Sequence, residues 1–140
     1  MPYATQQNII DRYGQDVLLL AADRDGDGQV DSEAVDQALA DADAEIDTYL
    51  AAKYALPLAV VPDVLVRLAV DIALFRVEAT ADVISEERRQ RYKDAVALLA
   101  RMARGEVSLG LPDPPVSANG AVHISSEKRR FNRRSMRRLT

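Results

Sequence analysis

The chain has 140 residues, enough for one domain with one core and too few for two comfortable ones. Apolar residues make up 48% of it and charged residues 29%, a soluble globular composition, and the lack of cysteine excludes a disulfide framework and thiolate chemistry. The net charge of −4 is unevenly spread: residues 127 to 140 hold Lys128 and six arginines against Glu127, a charge of +6, which leaves −10 on the other 126 residues. Blocks of like charge stay solvated until something binds them, so an acidic body with a basic tail implies that the tail has a partner of its own. The opening MPYATQQNII lacks a basic region followed by a long apolar run, so no secretion signal is expected and the protein should remain in the cytoplasm of the cell that makes it.

In chain order, Thr5 suits the N-cap of a short helix from Gln6 to Tyr13 that Gly14 closes. A second short helix, Gln15 to Ala22, follows, although its run VLLL alone could equally be a strand. Ile9, Ile10, Tyr13, Val17, Leu18 and Leu20 are the expected core contacts. DRDGDGQVD is then too rich in Asp and Gly to be anything but a loop.

From Ser32 to about Lys53 the pattern is helical and free of Gly and Pro. Val35, Leu39, Ala42, Ile46, Tyr49 and Leu50 share one face, and Glu33, Asp36, Asp43 and Asp47 form an acidic one. Pro57 and Pro62 bracket an apolar linker. The stretch VPDVLVRLAVDIALFRV after it, Val61 to Val77, is apolar on three sides and reads as a central helix with Pro62 at its first position. Asp63, Arg67, Asp71 and Glu78 form a narrow stripe left for water or a subunit contact, with Arg76 opposite; this many charges argue against a membrane span. Ser85 caps a last helix, SEERRQRYKDAVALLARMARG, with Tyr92, Ala95, Val96, Leu99, Met102 and Ala103 as its buried stripe and Gly105 as its stop.

After Gly105 Gly and Pro become frequent, and only Val122 to Ile124 resembles a short strand. The expected architecture is therefore all-α: a bundle of about four helices over residues 1–105, and an extended basic arm over residues 106–140 that contains the strand.

Three groups of residues are candidates for function. Asp23, Asp25, Asp27, Gly28 and Asp31 match an EF-hand calcium loop, in which short carboxylates converge on a hard cation, but the position of the bidentate Glu is Ala34 and Glu33 comes one residue early. The alternative is an acidic connecting loop whose Asp residues cap turns and the next helix. The acidic face of Glu33, Asp36, Asp43 and Asp47 is either a solvated helix face or, in a ring, the lining of a channel that repels passing DNA. In the tail, Arg129, Arg130, Arg133 and Arg134 interleave with Phe131, Met136 and Leu139. Such a patch binds nucleic acid by counterion release, or docks apolar anchors in a partner's groove with Arg on an acidic rim, or merely keeps the chain soluble. The protein partner is the preferred reading. With one histidine, His123, and no cysteine, the common bases and nucleophiles cannot be assembled, so no catalysis is expected.

The succession YATQQNIIDRYG, DRDGDGQVDSEAVDQALADADAEIDTYLAAKYALPL, SEERRQRYKDAVALLARMARGEVSLG and RRFNRRSMRRL resembles a family of small phage proteins typified by a neck or head-completion protein of Mu-like phages. The family's closing Arg, Phe, Arg and Leu pattern is matched by Phe131, Arg134 and Leu139, with Met136 near where Leu is more usual. The resemblance implies a head–tail connector, or adaptor, that docks as a ring beneath the portal in the virion neck after assembly in the host bacterial cytoplasm. Such rings usually have twelve copies, and DNA passes through them without specific binding. The implied partners are the portal protein, a tail-side neck or tail terminator protein and further copies of the chain, with no membrane and no cofactor beyond a possible calcium ion. The arm, including Val122, Ile124 and the Arg-rich end, would reach the portal or a neighbouring copy, its strand adding to a sheet edge.

Overall fold

The computed structural model describes residues 2–112, and these form five helices and no strand. The strand expected at Val122 to Ile124 lies outside the described residues. The helices are α1 (Gln6–Tyr13), α2 (Gln15–Ala22), α3 (Ser32–Leu50), α4 (Asp63–Ala81) and α5 (Glu86–Ala103).

Local chemistry sets most of these limits. The Thr5 hydroxyl accepts the Asn8 N–H, which also bonds the Thr5 carbonyl, while the Asn8 side chain accepts the Thr5 N–H, so the start of α1 is fastened reciprocally. Gly14 ends α1 at φ +89°, a backbone conformation that side chains disfavour, and the same residue begins α2 in a new direction. The VLLL run is thus helical, and Leu18, Ala21 and Ala22 turn inward. Leu18 and Leu20 lie about 200° apart around a helix, so both cannot face the core. Leu20, expected inside, is 82% exposed. Asp31 and Ser85 cap α3 and α5 by accepting the N–H groups of Ala34 and Arg88.

Helix α3 ends at Leu50, and turns carry the chain on to the buried Tyr54. Pro62 is the N-cap of α4 and not its first helical residue: its φ of −65° suits a helix, but its ψ of 146° is extended. At the other end Asp82 takes the left-handed conformation, φ +57°, and Val83 donates to the Glu78 carbonyl, which closes the helix without a glycine.

Helix α4 lies at the centre, packed most extensively on α3, then on α5, α2 and α1. Leu65, Leu68, Ala69, Val70, Ile72, Ala73, Leu74 and Val77 are all buried, and burying each large one stabilises the fold by about 1.5–3 kcal/mol. The polar stripe of α4 is open only at its start. Asp63 and Arg67 are exposed, whereas Asp71 and Glu78 are buried beneath the neighbouring helices. Asp71 accepts the Tyr13 hydroxyl from α1, and Glu78 accepts Arg88 Nε of α5 at 3.0 Å. Arg76 reaches the other way, donating to Glu45 of α3 at 2.6 Å. Residues 107–111, at the root of the expected arm, lie against the body, with Val107, Leu109 and Leu111 packed on the core and the Leu109 N–H on the Tyr54 hydroxyl.

Breaking one side of a buried ion pair strands a charge, while replacing both sides by apolar groups does not. Arg88→Met should therefore cost about 3–5 kcal/mol in denaturant unfolding, and adding Glu78→Leu should recover most of it. Equal loss in the single and double variants would show that the pair does not hold α5 on α4.

Candidate functional site

The Asp-rich loop is built from its own carboxylates. Asp23 accepts the N–H groups of Gly26 and Gly28 at 2.7 and 3.1 Å, Asp25 accepts that of Asp27, and Asp27 that of Gln29. Oxygens of Asp23, Asp25 and Asp27 converge to within 4.8 Å of one another, as the spacing suggested. Asp31 does not join them, because it caps α3. Ala34 is turned into the body and Glu33 stands exposed on the first turn of α3. The loop thus brings together three of the expected donors and lacks the bidentate carboxylate that completes an EF-hand shell of six to eight oxygens.

The acidic face of α3 divides in two. Glu33 and Asp36 are exposed, but Asp43 and Asp47 are half-buried beneath the N-terminal segment. Tyr3, itself buried, donates its backbone N–H to Asp43 at 2.9 Å and its hydroxyl to Asp47. Burial pushes the Asp43 carboxyl above the usual range, while the Tyr3 N–H pulls it back. The period of α3 placed these four carboxylates on one side correctly, but it carried no sign that the chain's start folds back across two of them.

The same device recurs. The Tyr92 hydroxyl of α5 donates to Glu45 of α3 at 3.0 Å, and the Tyr13 hydroxyl donates to Asp71 while accepting Arg91 Nη1 at 2.7 Å. Arg88 lies over the Tyr13 ring at 4.6 Å, which gives its guanidinium a π face where Nη1 has no hydrogen-bond partner. Phe75 stacks on Tyr92 at 4.1 Å. Burial and then the carboxylate partner raise the pKa values of Tyr3, Tyr13 and Tyr92. Chemically these are phenols held protonated against acceptors, an arrangement that fastens helices together. Of the three acceptors only Asp71 lies on α4, within the stripe that the sequence left for water or a subunit contact; Asp47 and Glu45 lie on α3.

His123 and the arm residues Val122, Ile124, Arg129, Arg130, Phe131, Arg133, Arg134, Met136 and Leu139 lie outside the described residues. Among the described residues no helix is long and apolar enough to cross a membrane.

The family described as Bacteriophage Mu, Gp36 matches residues 3–126 of the chain. The chain is 37% identical over 127 residues to the Mu-like prophage FluMu protein gp36 of Haemophilus influenzae, covering 89% of each. It is 33% identical over 138 residues to Gene product J of Escherichia phage Mu, covering 96% of each.

Two measurements check this geometry. Phenols of the unfolded chain ionise near pH 10 and those of the folded chain later, so their contribution is complete below pH 10 and lost as pH rises through the folded values. Tyr3→Phe should cost about 1 kcal/mol in thermal unfolding near pH 8, and the gap to the parent should close above pH 10; a constant gap would contradict the Tyr3 bond to Asp47. Asp31→Ala should cost about 1 kcal/mol through loss of the α3 cap.

Proposed function

The chain belongs to the bacteriophage Mu Gp36 family, and we propose that it serves its phage as a head–tail connector. In this reading copies of the chain form a ring beneath the portal in the virion neck, complete the filled head and offer a surface to a tail-side neck or tail terminator protein. The role is structural and not catalytic. The observation that carries it is the match to Mu-type phage proteins along nearly the whole chain, in one order.

The charge division supports the same reading. The helical body is the ring wall, and the +6 segment of residues 127–140 is the element that finds the portal or a neighbouring copy. The contacts that assembly supplies offset the entropy of ordering the arm on the portal or a neighbour. Glu33 and Asp36, the exposed half of the acidic face, are the carboxylates available to line a lumen and keep DNA from sticking to it. A DNA-binding accessory protein is the competing reading, and the −10 carried by residues 1–126 weighs against it by repelling the phosphates that the tail attracts.

The test mixes purified full-length protein, and separately a form ending at Asn119, with DNA-filled, tail-less heads that lack it, and images the portal vertex. The full-length protein should add a ring there and the shortened form should not. No added density with either, together with salt-sensitive binding of duplex DNA by the full chain, would replace the connector with the DNA-binding reading.

A further inference from the structure

Among the described residues three large hydrophobic side chains stand out in water: Leu20, Val60 and Val83, at 82%, 64% and 55% exposure. Two of the three meet. Leu20, with Val17 and Ala21 of α2, and Val83, in the link from α4 to α5, wall a shallow apolar cavity of about 310 Å³. Leu20 also walls a second cavity of about 380 Å³, shared with Leu19, Asp16 and Asp23. No Lys or Arg lines either one. The acids around it are Asp16 and Asp23, which line the second cavity, and Asp82, exposed beside Val83; Glu86 and Glu87 at the start of α5 are paired with Arg89 and Arg91. An apolar groove with a negative rim takes a segment that carries apolar anchors among positive charges.

The chain itself holds such a segment. Residues 127–140 set Phe131, Met136 and Leu139 among Lys128 and six arginines. The span between the two places is also suitable. The described chain ends at Pro112, just past the contact of Leu109 with Tyr54, near the C-terminal end of α5, whereas the groove lies at its N-terminal end. Helix α5 is about 27 Å long. The stretch from Pro112 to Phe131 reaches up to about 60 Å when extended, so the tail can return to its own body.

We propose that in the free protein the groove at Leu20 and Val83 is the seat of the chain's own C-terminal segment, Phe131 to Leu139. The apolar anchors cover the two exposed side chains, and the arginines lie along the rim of Asp16, Asp23 and Asp82. Tethering favours the chain's own tail over that of a second copy at micromolar concentration, because the effective concentration of a tethered segment is far higher. Seated in this way, the tail is withheld from other acidic surfaces. Its release to a portal or a neighbour during assembly rests on the connector reading, but the seat itself does not.

The chain has no cysteine, so a single engineered pair reports on the seat. The full-length protein carrying Asp16→Cys and Ser135→Cys is oxidised at micromolar concentration, and the products are separated without reducing agent. An intramolecular disulfide should form, at least fivefold more slowly when Leu20→Asp is added and likewise in about 1 M salt, where charges are screened within about 3 Å. Leu20 is exposed, so its replacement leaves the core intact, and circular dichroism verifies that. Cross-linked dimers in place of the internal bond would assign the groove to a second copy's tail and overturn the proposal. Internal cross-linking indifferent to both Leu20→Asp and salt would mean random encounter and no seat, and would overturn it equally. Either result leaves the vertex test of the connector reading unaffected.

Discussion

The structure depends on a helix that is buried on almost every side and yet carries acids. Helix α4 places Asp71 and Glu78 inside the bundle at 9% and 8% exposure, and an unpaired carboxylate there costs several kcal/mol. Each needs a donor from a neighbouring element. Tyr13 at the end of α1 supplies one and Arg88 in the first turn of α5 the other. The two donors also touch, because Arg88 lies over the Tyr13 ring and Arg91, one turn further along α5, donates to the Tyr13 hydroxyl. The requirement of two carboxylates on one helix thereby fixes where two other helices meet.

The other side of the bundle is arranged in the same manner. Glu45 of α3 accepts from Arg76 of α4 and from Tyr92 of α5, so three helices share one carboxylate. Asp43 and Asp47 hold the start of the chain through Tyr3. Leucine and alanine faces can slide past one another at small cost. A hydrogen bond to a charged group cannot, since its geometry must hold within a few tenths of an ångström. Apolar burial supplies the driving force for this fold, and the acid-centred contacts set its register.

Much of the fold was legible in the residues. Thr5, Gly14, Asp31 and Ser85 mark helix ends because capping is a local exchange of hydrogen bonds that a few neighbouring residues determine. The buried face of α3 follows from its period. What was not legible depended on which neighbour covers a face. Leu20 looks like core in a run of three leucines and is left outside by the turn of a short helix. The polar stripe of α4 looks like a surface, and α1 and α5 lie across it. Asp43 and Asp47 look like solvated acids until Tyr3, some forty residues away in sequence, reaches them. Of the candidate sites, the convergence of Asp23, Asp25 and Asp27 was legible from spacing alone, because the whole loop is local.

The arrangement leaves a helical body with an acid-rimmed apolar groove at one end of α5 and, near the other, the point from which the basic segment continues. That polarity suits a part that joins a succession of other parts, as the connector reading requires. The measurement that tests this claim most directly is the ratio of this protein to the portal protein in purified virions, obtained by quantitative mass spectrometry with isotope-labelled standards. The account predicts one copy for each portal subunit. Absence from the virion, or a large excess such as a DNA-coating or capsid-covering protein would show, would contradict it.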